Sequence, residues 1–243
     1  MMTDWLSRTE LLLGTENLLK LQSKHVLVVG LGGVGAYAAE QICRAGVGEM
    51  TIVDADVIEE TNINRQLIAL HNTVGQAKTD LLAERLLQIN PNLKLHKLHE
   101  FIRDDRAVTL LEEHQYDYVV DAIDSLSPKV FFIYHTLQKG LPLISAMGAG
   151  GKMDPAQIRV APIEKTSHCK LAHFVRKRLH RMGVRSGFKA VYSPEPVPDH
   201  AIQIDSNPEQ NKLSVVGTIS YMPPLFGCFM AAEVIRDLIG QGD

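Results

Sequence analysis

Residues 25–66 read HVLVVGLGGVGAYAAEQICRAGVGEMTIVDADVIEETNINRQ. An apolar run reaches Gly30 and breaks into glycines at Gly32, Gly33 and Gly35. Small and apolar residues alternate beyond it, and a second apolar run ends at Asp54. Strand, glycine turn, helix and strand in that order predict a nucleotide-binding βαβ unit. Gly30 ends the strand in a turn that side chains would obstruct, Gly32 lets backbone approach a phosphate, and Gly35 lets helix pack on strand. The helix N-terminus offers N–H groups to an anion. Asp54, about twenty residues past the turn, is placed to accept bonds from ribose hydroxyls. NAD, FAD and ATP proteins share this pattern, so the unit alone leaves the nucleotide open.

The remainder keeps alternating. Gln76 to Asn90 predicts a helix, with Leu81, Leu82, Leu86 and Ile89 at helical spacing and Pro91 as its stop. Leu93–Leu98 reads as a strand, Asp104 or Asp105 as the cap of a helix through His114, and Tyr116–Ile123 as a buried strand. Ser127-Pro128 supplies an N-cap and first position for another helix, and Leu141–Ala146 returns to strand. The expected fold is α/β, a doubly wound Rossmann-like sheet with a C-terminal elaboration. Ligands in such sheets bind beyond the strand C-termini. The junctions Gly30–Gly35, Asp54–Arg65 and Asp121–Pro128 therefore face one crevice.

Composition narrows the classes. The 243 residues, 45% hydrophobic, suit one domain over 1–243 with an elaboration. A net charge of −3 excludes a global attraction to nucleic acid, so any such binding rests on a local patch. Cys43, Cys169 and Cys228 are widely spaced, which argues against a zinc framework or a disulfide scaffold. Residues 1–24 lack a secretory pattern. The apolar stretch Val215–Ala232 contains Pro223-Pro224, which favours strand, turn and core helix over a membrane span. A cytoplasmic chain without stable membrane association is expected.

Three charges stand at the crevice. Arg65 can clamp phosphate through its guanidinium, Lys78 opens a helix behind Gly75, and Asp124 closes Asp121-Ala-Ile-Asp124, suited to magnesium. Together they predict a triphosphate site, which NAD chemistry would not need. The chain has no P-loop motif.

Gly30-Leu-Gly-Gly-Val-Gly35, Asp54, Asn62-Ile-Asn-Arg-Gln66, Gly75-Gln-Ala-Lys78 and Asp121-Ala-Ile-Asp124 resemble the adenylating domain of the ubiquitin-activating superfamily. The likeness runs end to end, through Gly217-Thr-Ile-Ser-Tyr-Met-Pro-Pro and the closing Ala231–Leu238 segment. It implies ATP and Mg2+ as cofactors and adenylation of a carboxylate in a homodimer. It places nucleotide on Gly30, Gly32, Gly33, Gly35, Asp54, Asp56, Asn62, Asn64, Arg65, Gln66, Lys78, Asp124 and Ser125. Arg65, Lys78 and Asp124 become catalytic, Asp124 holds the metal, and Arg8 acts on the partner subunit's ATP. A monovalent cation, Na+ or K+, is also implied, without a location. The Gly148–Gly151 cluster reads as a hinge or a main-chain cradle.

Two branches of the superfamily compete. Activators of sulfur-carrier proteins usually hold zinc on two C-x-x-C pairs, which this chain lacks. Arg8–Gly14, Val53–Asp56, Met147–Gly151, Asp154-Pro155, the Lys170–Arg181 stretch and Val191–Glu195 resemble instead the dehydratases of tRNA threonylcarbamoyladenosine. That resemblance implies hydantoin ring closure on tRNA without a catalytic cysteine, so Cys169 reads as an ordinary thiol before a helix. Carrier-protein activation stays as the alternative, and a regulatory nucleotide module as the non-enzyme one. A tRNA partner needs a basic surface. Lys170, Arg176, Lys177, Arg178, Arg181, Arg185 and Lys189 supply it, with Leu171, Phe174, Val175 and Leu179 turned to the body. Residues 166–213 are thus expected to form a tRNA-facing helix and a mobile loop. A sulfur-transfer or redox accessory protein stays open as a partner.

Overall fold

The apolar run His25–Val29 forms β1 and is buried at every position, as a strand must be when helices cover both faces of its sheet. The computed structural model describes residues 4–204 and 214–242. Before β1 come α1 (Ser7–Leu13) and α2 (Thr15–Gln22); after it come α3 (Gly35–Arg44), β2 (Glu49–Val53), α4 (Lys78–Ile89) and β3 (Lys94–Leu98). Then follow α5 (Asp105–Glu113), β4 (Tyr118–Asp121), α6 (Leu126–Gln138), β5 (Leu143–Ala146), β6 (Arg159–Pro162) and α7 (Lys170–Arg181). The chain ends with β7 (Lys189–Tyr192), β8 (Ile202–Ile204), β9 (Ser214–Val216) and α8 (Met222–Ile239).

Seven strands form one sheet in the order β3-β2-β1-β4-β5-β7-β6. All neighbours are parallel except β6 and β7. The order runs outward from β1 to β3 and then restarts beside β1 with β4. That reversal opens a crevice between the C-terminal ends of β1 and β4. One face packs Leu82, Phe226 and Met230 of α4 and α8 against Val28 and Ile52. The other packs Phe132, Val175 and Leu179 of α6 and α7 against Leu27 and Val119. The doubly wound expectation holds, and β8 with β9 makes a separate antiparallel pair.

Several local expectations shift. The α6 helix starts at Leu126 behind Ser125, so Ser127 and Pro128 lie inside its first turn, a place where proline still costs no intrahelical donor. Asp104 stands before α5 with φ of 49° and makes no side-chain cap bond. Pro223 and Pro224 open α8 rather than break it, and the helix runs 18 residues through Glu233 and Arg236. Among the described residues, no helix is long and apolar enough to cross a membrane. Cys43 is buried as expected, whereas Cys228 is only half-buried. Of the 166–213 segment, residues 205–213 lie outside the described residues. Gly150 and Gly151 are packed under Val216 and Val197, a tight contact rather than an open cradle.

Two helices meet unusually closely beside the crevice. A Cβ on Gly227 of α8 would fall 2.4 Å from the Val34 carbonyl oxygen at the start of α3. Alanine in a helix is ordinarily worth about 1 kcal/mol over glycine. Gly227→Ala should instead destabilise by about 1–3 kcal/mol, because the helices must separate. Urea unfolding checks the sign.

Candidate active site

The glycine turn is fixed by what cannot fit. Gly30 has φ of 90°, and a Cβ there would sit 2.7 Å from the Ala122 carbonyl oxygen beyond β4. A Cβ on Gly35 would lie 1.8 Å from the Gly30 oxygen. The turn, the α3 N-terminus and the β4 loop are therefore in backbone contact. At Gly32, by contrast, the nearest group to such an atom is Gln66 Nε2, at 3.8 Å. This is the open part of the turn. The α3 N-terminus has no side-chain cap, so its amide dipoles are aimed at this opening.

Asp54 ends β2 and is buried. Its Oδ2 accepts from the Leu31 N–H at 2.6 Å and its Oδ1 from the Asp56 N–H at 2.7 Å. Burial raises its pKa, opposed by Lys78 and by those two N–H bonds. The carboxylate that sequence reasoning reserves for ribose thus first ties the glycine turn to the β2 loop. Each oxygen keeps a further lone pair for a ligand.

The Asn62–Gln66 segment wraps the other side of the turn. Asn62 is buried and accepts from the Glu59 N–H at 3.2 Å, so it shapes the loop from within. Asn64 donates to the Thr218 carbonyl at 2.9 Å, tying the loop to the approach of α8. Arg65 donates to the Thr61 carbonyl at 2.9 Å and Asn64 Oδ1 at 2.8 Å, with its stem beside Gly33. Gln66 is buried and its Oε1 lacks a hydrogen-bond partner. A buried orphan acceptor costs roughly 1–3 kcal/mol. Lys78, the first residue of α4, is buried and pairs with exposed Asp56 at 2.7 Å.

Asp124 is exposed in the loop after β4, and Ser125 Oγ donates to its Oδ1 at 3.2 Å. What holds that loop escaped sequence reasoning. Asp121 and Lys129 are both 0% exposed and pair at 2.7 Å. Asp121 also accepts from Ser145 Oγ at 2.6 Å and the Ile123 N–H at 3.0 Å, while Lys129 donates to the Ile123 carbonyl at 2.8 Å. The available signal was a lysine at the head of the apolar run Val130–Ile133.

The structure thus gathers the glycines, Asp54, Asp56, Asn62, Asn64, Arg65, Gln66, Lys78, Asp124 and Ser125 around the ends of β1, β2 and β4. It does not gather Arg8, which is exposed on α1. That helix follows Leu6, which lies near Gly46 at the opposite edge of the sheet.

The basic residues lie mostly on α7. Lys170, Lys177, Arg178 and Arg181 are exposed there and Arg185 just beyond it. Arg178 Nη1 donates to Ser127 Oγ at 2.6 Å, in the first turn of α6, three positions beyond Asp124. Arg176 is half-buried and donates to Thr166 Oγ1. Phe174, expected to face the body, is 48% exposed beside His173. Ala172, Val175 and Leu179 bury the helix instead. Lys189 leaves the patch altogether and pairs with Glu233 and Asp237 at 2.9 Å. Cys169 is buried at the head of α7. Lys152 is buried as well, and burial lowers its pKa against the opposing pull of Cys169 and Glu195.

A glycine turn at the switch point, flanked by a β2 carboxylate, a loop arginine, a helix-opening lysine and a β4-loop aspartate, is the frame of a nucleotide-using adenylating fold. The chain belongs to the ThiF family, matched over residues 6–243. It is 35% identical over 239 residues to the tRNA threonylcarbamoyladenosine dehydratase of Bacillus subtilis, covering 96% of this chain and 94% of that one. The crystal structure of the Escherichia coli tRNA N6-threonylcarbamoyladenosine dehydratase in complex with ATP superposes with a TM-score of 0.88 at 33% identity. The likeness covers 99% of this chain and 98% of that one. An adenylyltransferase and sulfurtransferase of Culex quinquefasciatus is 37% identical, but over only 55% of this chain and 30% of its own length.

Removing one member of a buried ion pair strands the other charge, at a cost of about 3–5 kcal/mol. Lys129→Met should therefore lower stability by that order, and Asp121→Asn added to it should restore much of the loss. A double-mutant cycle in urea measures both.

Proposed function

We propose that this chain uses ATP to adenylate the threonyl carboxylate of threonylcarbamoyladenosine in tRNA. A carboxylate oxygen attacks the α-phosphorus and pyrophosphate leaves. A carbamoyl nitrogen then attacks the acyl carbon, AMP leaves, and a hydantoin ring closes. The net change in the nucleoside is the loss of one water. No external nucleophile is needed, in keeping with a buried Cys169.

The observation that carries this reading is the Arg178–Ser127 bond. It brings the exposed cations of α7 to the loop that bears Asp124. A polyanion held on α7 thus lies beside the nucleotide crevice. An arginine- and lysine-rich face of this kind contacts phosphates without reading bases. Exposed Phe174 adds an aromatic surface on which a base could stack.

Within the crevice, ATP is the substrate that the open glycine turn suits. Asp54 would take the ribose, Asn62 and Arg65 the phosphates, and Lys78 the charge that develops as pyrophosphate departs. Asp124 and Ser125 are hard oxygen donors of the kind that hold Mg2+ while it keeps much of its water, and that ion supplies charge neutralisation on the phosphates. The reading also includes a monovalent cation and a cytoplasmic setting with tRNA, both carried over from the resemblance.

It includes a homodimer as well. Leu11 and Leu12 on α1 are 88% and 83% exposed, with Trp5 and Leu19 also uncovered. Arg8 lies one helical turn from Leu11 and Leu12. A second copy seated on that apolar face would cover it and receive Arg8.

Incubation of threonylcarbamoylated tRNA with protein, ATP and Mg2+, followed by mild digestion and mass spectrometry, tests the reaction. Expected is an ATP-dependent loss of one water from the modified nucleoside, abolished in Asp124→Ala with the fold intact. An unchanged nucleoside, with pyrophosphate exchange supported by a carrier protein ending in glycine, would show the alternative to be right. Charge reversal at Arg178 and Arg181 should weaken tRNA binding at least tenfold and flatten its salt dependence. Unaltered affinity in a filter-binding titration would remove α7 from the interface.

A further inference from the structure

At the opposite edge of the sheet, where the strands begin, two ring nitrogens and one carboxylate oxygen converge from three separate strands. His25 opens β1, Glu49 opens β2 and His96 lies in β3. His25 pairs with Glu49 across β1 and β2, and His96 pairs with Thr51, two residues further along β2 on the same face. Glu49 Oε1 lies 3.3 Å from His25 Nδ1 and 2.9 Å from His96 Nε2. One ligand atom from each of the three residues falls within 4.8 Å of the other two. His114, just ahead of β4, stacks on the same group, its ring centroid 4.4 Å from His96 and 5.3 Å from His25.

We propose that His25, Glu49 and His96 form a binding site for a divalent transition metal, Zn2+ in the first place, with a fourth position open to solvent. Bonds of about 2.0 Å in a tetrahedron put donor atoms about 3.3 Å apart. The two measured separations, 3.3 and 2.9 Å, reach that spacing with small side-chain movements. Nitrogen-rich donors with one carboxylate favour zinc over magnesium or calcium.

The surroundings are those of a prepared ligand set. His25 is buried, and its Nε2 meets Thr51 Oγ1 at 2.9 Å. A partner on one ring nitrogen orients the imidazole and leaves the other for a metal. A cavity of about 570 Å³ lined by His25, Glu49 and His114 opens on the group and gives an ion its entry path. Without the ion, Lys94 Nζ answers the charge of Glu49 Oε1 at 2.8 Å. Its side chain is 66% exposed and can withdraw into water. The site is remote from the nucleotide crevice and does not depend on the reaction proposed above. Its bound ion would pin β1, β2 and β3 to one another near their starts. This is a stabilising role, since ligand chemistry in doubly wound sheets belongs to the other edge.

The test uses the full chain after dialysis against a chelator. Zinc chloride is titrated calorimetrically, and Co2+ binding is followed by its visible absorption. Expected are one equivalent of Zn2+, tetrahedral Co2+ bands and a raised Tm. His96→Gln should weaken zinc at least tenfold, and Thr51→Val about 10–100-fold through loss of the orienting bond. His99→Gln, an exposed histidine on the same segment, should bind as the parent does. Circular dichroism confirms that each variant is folded. Failure of the parent to bind at micromolar zinc, or undiminished affinity in folded His96→Gln, would overturn the site and leave an ion-pair network only.

Discussion

Everything at the crevice depends on the approach of two backbones, Gly30 and Ala122, with no room for a side-chain carbon between them. The Ala122 N–H donates to the Val29 carbonyl, and the Gly30 N–H to that of Val53, both at 2.9 Å. Three strand ends are thereby joined one residue past the regular ladder. Each outer strand then ends in a buried aspartate that spends oxygens on the amides of a following loop. Asp54 does so for Leu31 and Asp56, and Asp121 for Ile123. Short polar side chains that bond nearby backbone hold loops where no ladder can. The same device, used twice, gives mobile-looking loops a fixed shape.

Charge is arranged in two regimes. Inside, two cations are answered by carboxylates, Lys129 by Asp121 and Lys78 by Asp56, while buried Lys152 donates to the Glu195 carbonyl. Each buried charge is thereby met by a hydrogen-bond acceptor. Outside, along α7, cations accumulate on one face of a chain whose net charge is −3. A local stripe on an acidic protein attracts a polyanion to one place and repels it elsewhere. The link from Arg178 to Ser127 is where the regimes touch.

The sheet was legible because its signals are local: apolar runs, glycine turns and proline stops each act over a few residues. The α7 boundaries, Lys170–Arg181, coincide with the stretch read from sequence. Misreadings arose where the decisive partner is distant in the chain. Phe174 has helical spacing suited to a core, but its direction is set by which flank α6 occupies. Lys189 joins a basic run in sequence, yet β7 turns it toward Glu233 and Asp237 of α8. Ser127-Pro128 has the form of a helix start, and Ser125 takes that place two residues earlier. The crevice residues were named from their motifs, whereas Lys129 and Ser145, which brace them, carry no motif. Neither did the grouping of His25, Glu49 and His96, which only strand register creates.

The Lys78–Asp56 pair is unequal in its exposure, 5% for the lysine and 64% for the aspartate. The cation is the fixed member and the anion the loose one. On the proposed reading, an arriving phosphate would exchange with a counter-ion already in place, and Asp56 would carry its charge out to water. Before a ligand arrives, the pair shows little net field to the solvent. Ionic strength would accordingly act most on the outer stripe of α7, where attraction is long-ranged, and less on the crevice, where the cation is buried and already paired.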